Sequence, residues 1–163
     1  LGVLELSFII YRLQPHHVNF NKRIVKMPKI YFYDTGIVCS LLGIKEQNQL
    51  LLHPLRGNIF ENFVVTEMIK HRYNSAKSMD LYFWRDNSGN EIDLLFENYN
   101  KLLPIEIKSG KTVTDDYFKG LKYWQKIGGN QKGYVIYAGN DIQTRSNNIS
   151  ILPWTKLKEI EGM

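Results

Sequence analysis

Glu91-Ile92-Asp93-Leu94-Leu95-Phe96, followed by Leu103-Pro104-Ile105-Glu106-Ile107-Lys108, is the stretch whose reading decides the fold. Ile92, Leu94 and Phe96 alternate with Glu91, Asp93 and Leu95, so the first run reads as a strand with its acids on one face. In the second run Ile105 and Ile107 point one way, and Glu106 and Lys108 the other. A reversal over residues 97–101 pairs the two strands antiparallel. A hairpin closed about Tyr99-Asn100 gives facing residues whose numbers sum to 199. In that register Asp93 and Glu106 are cross-strand neighbours, roughly 5 Å apart at Cβ. Like charges so placed destabilise a sheet and are tolerated best with a cation between them.

Upstream of the hairpin, residues 57–73 carry the strongest helical pattern, with Phe60, Phe63, Val64 and Met68 on one face and Glu61 at its margin. Residues 81–85 read as a strand, and Asp86-Asn87-Ser88-Gly89-Asn90 as a loop. Downstream, Thr114 is placed to cap a helix with Asp115 and Asp116 in its first turn. That helix runs to Ile127 and stops at Gly128-Gly129. Residues 134–137 read as a fourth strand and 149–152 as a fifth. Towards the N-terminus, residues 4–13 are apolar and broken by Pro15. Residues 22–29 are basic, 30–33 read as a strand, 35–42 as a helix ended by Gly43, and 48–54 as a connector. The order is α-β-β-β-α-β, an α/β core with a mixed sheet flanked by helices.

At 163 residues and 44% hydrophobic, the chain has the material for one domain with a full core. No apolar run reaches membrane-spanning length, and no membrane partner is expected. The single cysteine, Cys39, excludes an internal disulfide and fits a reducing, cytoplasmic setting, as does the lack of a signal sequence. Since the chain begins at Leu1, a natural start is expected to lie upstream. Asn148-Ile149-Ser150 fits a glycosylation sequon, incidental in that setting. The net charge of +5 suits a polyanionic partner without specifying one.

The pairing of Asp93 with Glu106-Ile107-Lys108 resembles the acid and E-x-K of the PD-(D/E)XK nuclease superfamily, with Ile92 where that pattern has proline. More closely, the chain resembles the C-terminal domain of unknown function of a widespread family of bacterial and archaeal AAA+-like ATPases. The matching segments are residues 29–36 (KIYFYDTG), 57–63 (GNIFENF), 82–85 (YFWR), 91–93 (EID) and 105–109 (IEIKS). Together they run from about Lys29 to Gly110. The resemblance implies a restriction-endonuclease-like domain over residues 29–163. Residues 1–28 would join it to an upstream ATPase and winged-helix-like region of the same parent chain. It also implies a Mg²⁺ or Mn²⁺ site held by Asp93, Glu106, the Ile107 carbonyl and Glu61. There Lys108 would position or deprotonate the attacking water, its pKa lowered by the cation. On the helix that follows, Lys119, Lys122 and Lys126 share one face at i, i+3 and i+7 and are candidates to meet nucleic-acid phosphates. Gln125 is a candidate to reach the site from the same helix.

Other readings stand beside this one. Acids alternating along a strand describe a solvated face, and an E-x-K pair describes a surface ion pair. Lys119, Lys122 and Lys126 equally describe a solvated helix face. The same fold can serve as a non-catalytic module that binds DNA or docks the ATPase, or as a structural domain of a defence-type ATPase. Gly110-Lys111-Thr112 sits between a strand and a helix, but Ile105 occupies the position where a phosphate loop needs glycine. ATP is therefore not expected to bind this segment. Asp34-Thr35-Gly36 occurs once and reads as a capped turn. His16, His17, His53 and His71 lack metal-ligand spacing.

Overall fold

Strands form at the three central runs and helices on either side of them. The computed structural model describes residues 1–18, 25–99, 101–129, 131–145 and 147–161. Residues 22–24 of the basic run (Lys22 and Arg23 among them) and Asn100 of the expected turn lie outside the described residues. The elements are α1 (Gly2–Leu6), β1 (Ile10–Leu13), β2 (Lys29–Phe32), α2 (Thr35–Leu41), α3 (Gln47–Leu52), α4 (Arg56–Asn74), β3 (Leu81–Arg85), β4 (Glu91–Asn98), β5 (Lys101–Lys108), α5 (Lys119–Gly128), β6 (Gly133–Tyr137), β7 (Gln143–Arg145) and β8 (Ile149–Pro153). Turns of 3₁₀ helix cover Asp115–Phe118 and Trp154–Glu159.

Six strands form one mixed sheet in the order β3-β4-β5-β6-β8-β7. The pairs β3–β4, β4–β5 and β7–β8 are antiparallel, and β5–β6 and β6–β8 are parallel. The α-β-β-β-α-β succession is α4-β3-β4-β5-α5-β6. On one face Val64, Val65, Met68 and Ile69 of α4 pack on Leu94, Phe96 and Ile105. On the other, Leu121 and Trp124 of α5 pack on Trp84, Leu95 and Val135. A sheet covered on both sides needs unbroken apolar runs in its middle, and all five residues of β6 are buried. Each such large side chain contributes about 2 kcal/mol of transfer free energy. The free edge of β3 is covered by the chain after β1. Phe83 N–H donates to the Gln14 carbonyl (3.1 Å), and His16 N–H donates to that of Phe83 (2.7 Å). Antiparallel β1 and β2 form a separate ribbon.

The register of β4 on β5 is the one the turn dictates. Five facing pairs, from Leu94 with Ile105 to Asn98 with Lys101, all sum to 199. Tyr99 takes a left-handed φ of 54°, which a two-residue hairpin turn requires. One expectation fails instructively. The pairing of β4 with β3 shifts by one residue between Tyr82 and Trp84. Across this bulge Ile92 buries on the α5 side and Leu94, two residues on, buries on the α4 side. The regular alternation expected along residues 91–96 is therefore broken at this bulge, while Glu91 and Asp93 still border one cleft.

Three local expectations are also corrected. Where a connector is expected over 48–54, residues 47–52 form α3, because the Gln49 side chain accepts the N–H groups of Glu46 (3.1 Å) and Lys45 (2.7 Å). Thr114 stands at the N-cap position with Asp115 and Asp116 in the first turn, but its hydroxyl bonds the Asp116 carboxylate instead of a backbone N–H, and that turn is 3₁₀. Strand β7 falls where no strand was expected. Asp34, by contrast, caps α2 as its sequence allows, with its carboxylate accepting Gly36 N–H at 2.7 Å.

Candidate functional site

Where β4 begins and β5 ends, the sheet opens into a cleft of about 780 Å³ bounded by β2, α4 and the start of α5. Asn62 fixes one wall. An asparagine inside a helix is unfavourable, but this one is buried and grips the end of β2. Its side chain accepts Phe32 N–H at 2.7 Å and donates to the Phe32 carbonyl at 2.8 Å. That clamp holds Lys29 and Tyr31 over Glu61, whose Oε1 accepts from Lys29 Nζ (3.0 Å) and from the Tyr31 hydroxyl (2.6 Å). Lys29 also pairs with Glu91, and Glu91 Oε2 accepts from Arg85 Nε at 2.7 Å.

The opposite wall carries the E-x-K residues. Asp93 Oδ2 accepts the backbone N–H of Ile107 (2.8 Å) and Lys108 Nζ (3.2 Å). Lys108 Nζ also donates to Glu106 Oε2 at 2.6 Å. The bulge makes this possible, since it frees the Asp93 carboxylate to take a β5 N–H. Asp93, Glu106 and Lys108 thus converge, with Glu61 lining the same cleft. The cation between the two facing acids is a lysine of the chain itself.

Burial sets the electrostatics. Glu106 is 4% exposed. Desolvation, reinforced by the Asp93 charge and opposed by Lys108, pushes its pKa up to about 8. Burial pulls Lys108 down, but Asp93 and Glu106 outweigh it and its pKa is raised. Lys29 behaves alike, with Glu61 and Glu91 overcoming desolvation. Burial and then the Glu61 charge raise the Tyr31 phenol. Glu106 Oε1 is buried without a hydrogen-bond partner, an unmet demand in a site otherwise closed by ion pairs.

Among the described residues no group of three or more His, Cys, Asp or Glu side chains is gathered as a metal-ligand set. Two carboxylates on one cleft still match what Mg²⁺ uses, since it binds through one or two carboxylates and keeps water or phosphate elsewhere. Of the basic helix face, Lys119 lines the cleft, whereas Lys122 and Lys126 are exposed outside its lining. Lys122 lies over the Phe118 ring at 5.8 Å. Gln125 is not brought to the site. Its amide donates to the carbonyls of Asn147 (2.8 Å) and Gln131 (3.1 Å). Lys29, Asn62 and Gly120 belong to the site and were not singled out from sequence. The one available signal was a polar Asn62 within a strongly helical run. Among the described residues no helix is long and apolar enough to cross a membrane.

A family model described as Domain of unknown function (DUF4143) matches residues 56–157, and one described as Domain of unknown function (DUF8612) matches residues 1–48. The uncharacterized proteins Rv2008c of Mycobacterium tuberculosis and Mb2031c of Mycobacterium bovis are each 32% identical over 112 residues, 69% of this chain and 24% of theirs. The chain thus spans about a quarter of the length of these curated relatives. No solved structure matches it. The first family match takes in α4, α5, every strand of the six-stranded sheet, and Glu61, Glu91, Asp93, Glu106 and Lys108, and the chain belongs to the DUF4143 family.

Proposed function

We propose that the cleft hydrolyses phosphodiester bonds of nucleic acid with Mg²⁺ or Mn²⁺, as a PD-(D/E)XK-type domain on a restriction-endonuclease-like fold that works with the ATPase region of a longer protein. The observation that carries this reading is the meeting of Asp93, Glu106 and Lys108 in one cleft, with Glu106 Oε1 buried and unpartnered. Asp93 and Glu106 are the carboxylates that would hold the ion, with the Ile107 carbonyl beside them and Glu61 reached through water. When bound there, the ion polarises the phosphoryl group, lowers the pKa of its water and stabilises the leaving oxygen.

The rest falls to the chain. Lys108, held protonated between the two acids, moves from them to the phosphate or the attacking water once their charge is otherwise satisfied. Lys119 at the rim meets the phosphate backbone. Lys29, with Arg85 beside it on Glu91, neutralises Glu61 and Glu91. A second reading, a non-catalytic module that binds DNA or docks the ATPase, is favoured by the apolar surface of α2 and α3, where Leu41 is 73% and Leu52 87% exposed.

The test is divalent-dependent cutting of supercoiled, linear and single-stranded DNA and of RNA, with the ATPase region present. The expected result is cleavage that a chelator abolishes. Asp93→Asn and Lys108→Ala should each slow it by about 100-fold or more. A wild type that neither cuts these substrates nor binds the ion would leave the docking reading in its place.

A further inference from the structure

We infer that Gly120 is a positioning residue: its missing side chain makes the space in which the Glu106 carboxyl sits beside Lys108. The inference rests on the metal-site reading and names a residue of α5 that the E-x-K pattern does not contain. Gly120 is the second residue of α5. A Cβ built on it would lie 2.0 Å from Glu106 Oε1, 3.0 Å from Glu106 Cδ and 2.8 Å from the Glu91 carbonyl oxygen. Leu121 and Trp124, both fully buried, tie α5 to the sheet, so the helix cannot retreat without opening the core. The Glu91 carbonyl is backbone of a paired strand. The carboxyl of Glu106, the nearer and the flexible group, yields first and its displacement breaks the contact with Lys108, while the approach to the Glu91 carbonyl remains as a second strain.

A glycine within a helix ordinarily lowers stability relative to alanine. Gly57, the second residue of α4, shows the ordinary case, with nothing within 4 Å of a built Cβ. The two positions therefore carry opposite signs. Gly57→Ala leaves the unfolding midpoint unchanged or raises it, and Gly120→Ala lowers it.

The experiment compares wild type, Gly57→Ala, Gly120→Ala, Glu106→Asp and the Gly120→Ala/Glu106→Asp double variant. Each is measured by thermal unfolding and by calorimetric titration with MnCl₂. Gly120→Ala is expected to weaken Mn²⁺ binding by about tenfold or more. Shortening residue 106 withdraws its carboxylate from the new methyl but leaves the Glu91 carbonyl contact, so the double variant should regain the part of the lost midpoint that Glu106 causes and bind Mn²⁺ more tightly than Gly120→Ala. A glycine needed only for helix packing would show no such rescue. Unchanged Mn²⁺ affinity in Gly120→Ala, or a double variant no more stable than Gly120→Ala, overturns the assignment. If the wild type takes up no Mn²⁺, the metal reading falls, and the unfolding midpoints alone decide the role of Gly120.

Discussion

Replacing Lys108 with methionine is expected to destabilise the protein by about 3 kcal/mol near pH 9, and by much less near pH 5. The ammonium bridges Asp93 and Glu106, whose side chains are 15% and 5% exposed. Removing it leaves two largely buried carboxylates without their shared counter-charge. At the higher pH Glu106 is ionised, so the loss is large. At the lower pH Glu106 already carries a proton, and only the contact with Asp93 is lost. Urea unfolding at the two pH values reads the difference directly. An effect below about 1 kcal/mol at both would mean that the pair is an ordinary surface ion pair.

The wild type itself should lose stability as pH climbs from about 4.5 to about 8. Glu106 titrates at about 8 in the folded state against 4.5 when unfolded. Across that window the folded state holds the extra proton, so raising the pH favours unfolding, with a limiting slope of roughly 1.4 kcal/mol per pH unit. Burial lowers the pKa of His16 from 6.5, which gives a rise in stability with pH in part of the same window. The comparison must therefore be with Glu106→Gln, in which the falling component disappears and that of His16 remains. Glu5, Asp86 and Asp116 have lowered pKa values and act at the acid end. Raised Lys29 and Lys108 act only above 10.5. A Glu106→Gln variant with the same stability profile as the wild type would show that Glu106 is ionised throughout. The same proton competes with the ion, so Mn²⁺ affinity should rise with pH up to about 8.

Much of this frame is legible in the chain because it is written locally. The turn after Asn98, with Tyr99 at positive φ, joins two apolar runs in the register that sums to 199, and Asp93 and Glu106 come to one cleft. The long helix shows itself through Val64 and Met68, and the buried middle strand through the unbroken Tyr134-Val135-Ile136-Tyr137. What escapes is what depends on partners far along the chain. The bulge opposite Tyr82 and Trp84 leaves no mark on Glu91-Ile92-Asp93-Leu94, whose alternation looks regular. Lys29 reads as the end of a basic run until β2 is folded over α4, where it becomes the counter-charge of Glu61 and Glu91. Gly120 is one of twelve glycines, and only the approach of Glu106 distinguishes it. Gln125 lies three residues beyond Lys122 on the same helix, yet the helix axis carries it to the opposite end of the sheet.

The most direct measurement is anomalous diffraction from a crystal soaked in MnCl₂, for wild type and for Asp93→Asn. The account requires a manganese peak bound by Asp93 and Glu106 in the wild type, with Lys108 Nζ moved off at least one of the two carboxylates, and no peak in Asp93→Asn. A wild-type map with no manganese at these residues and Lys108 still seated on both acids would contradict it.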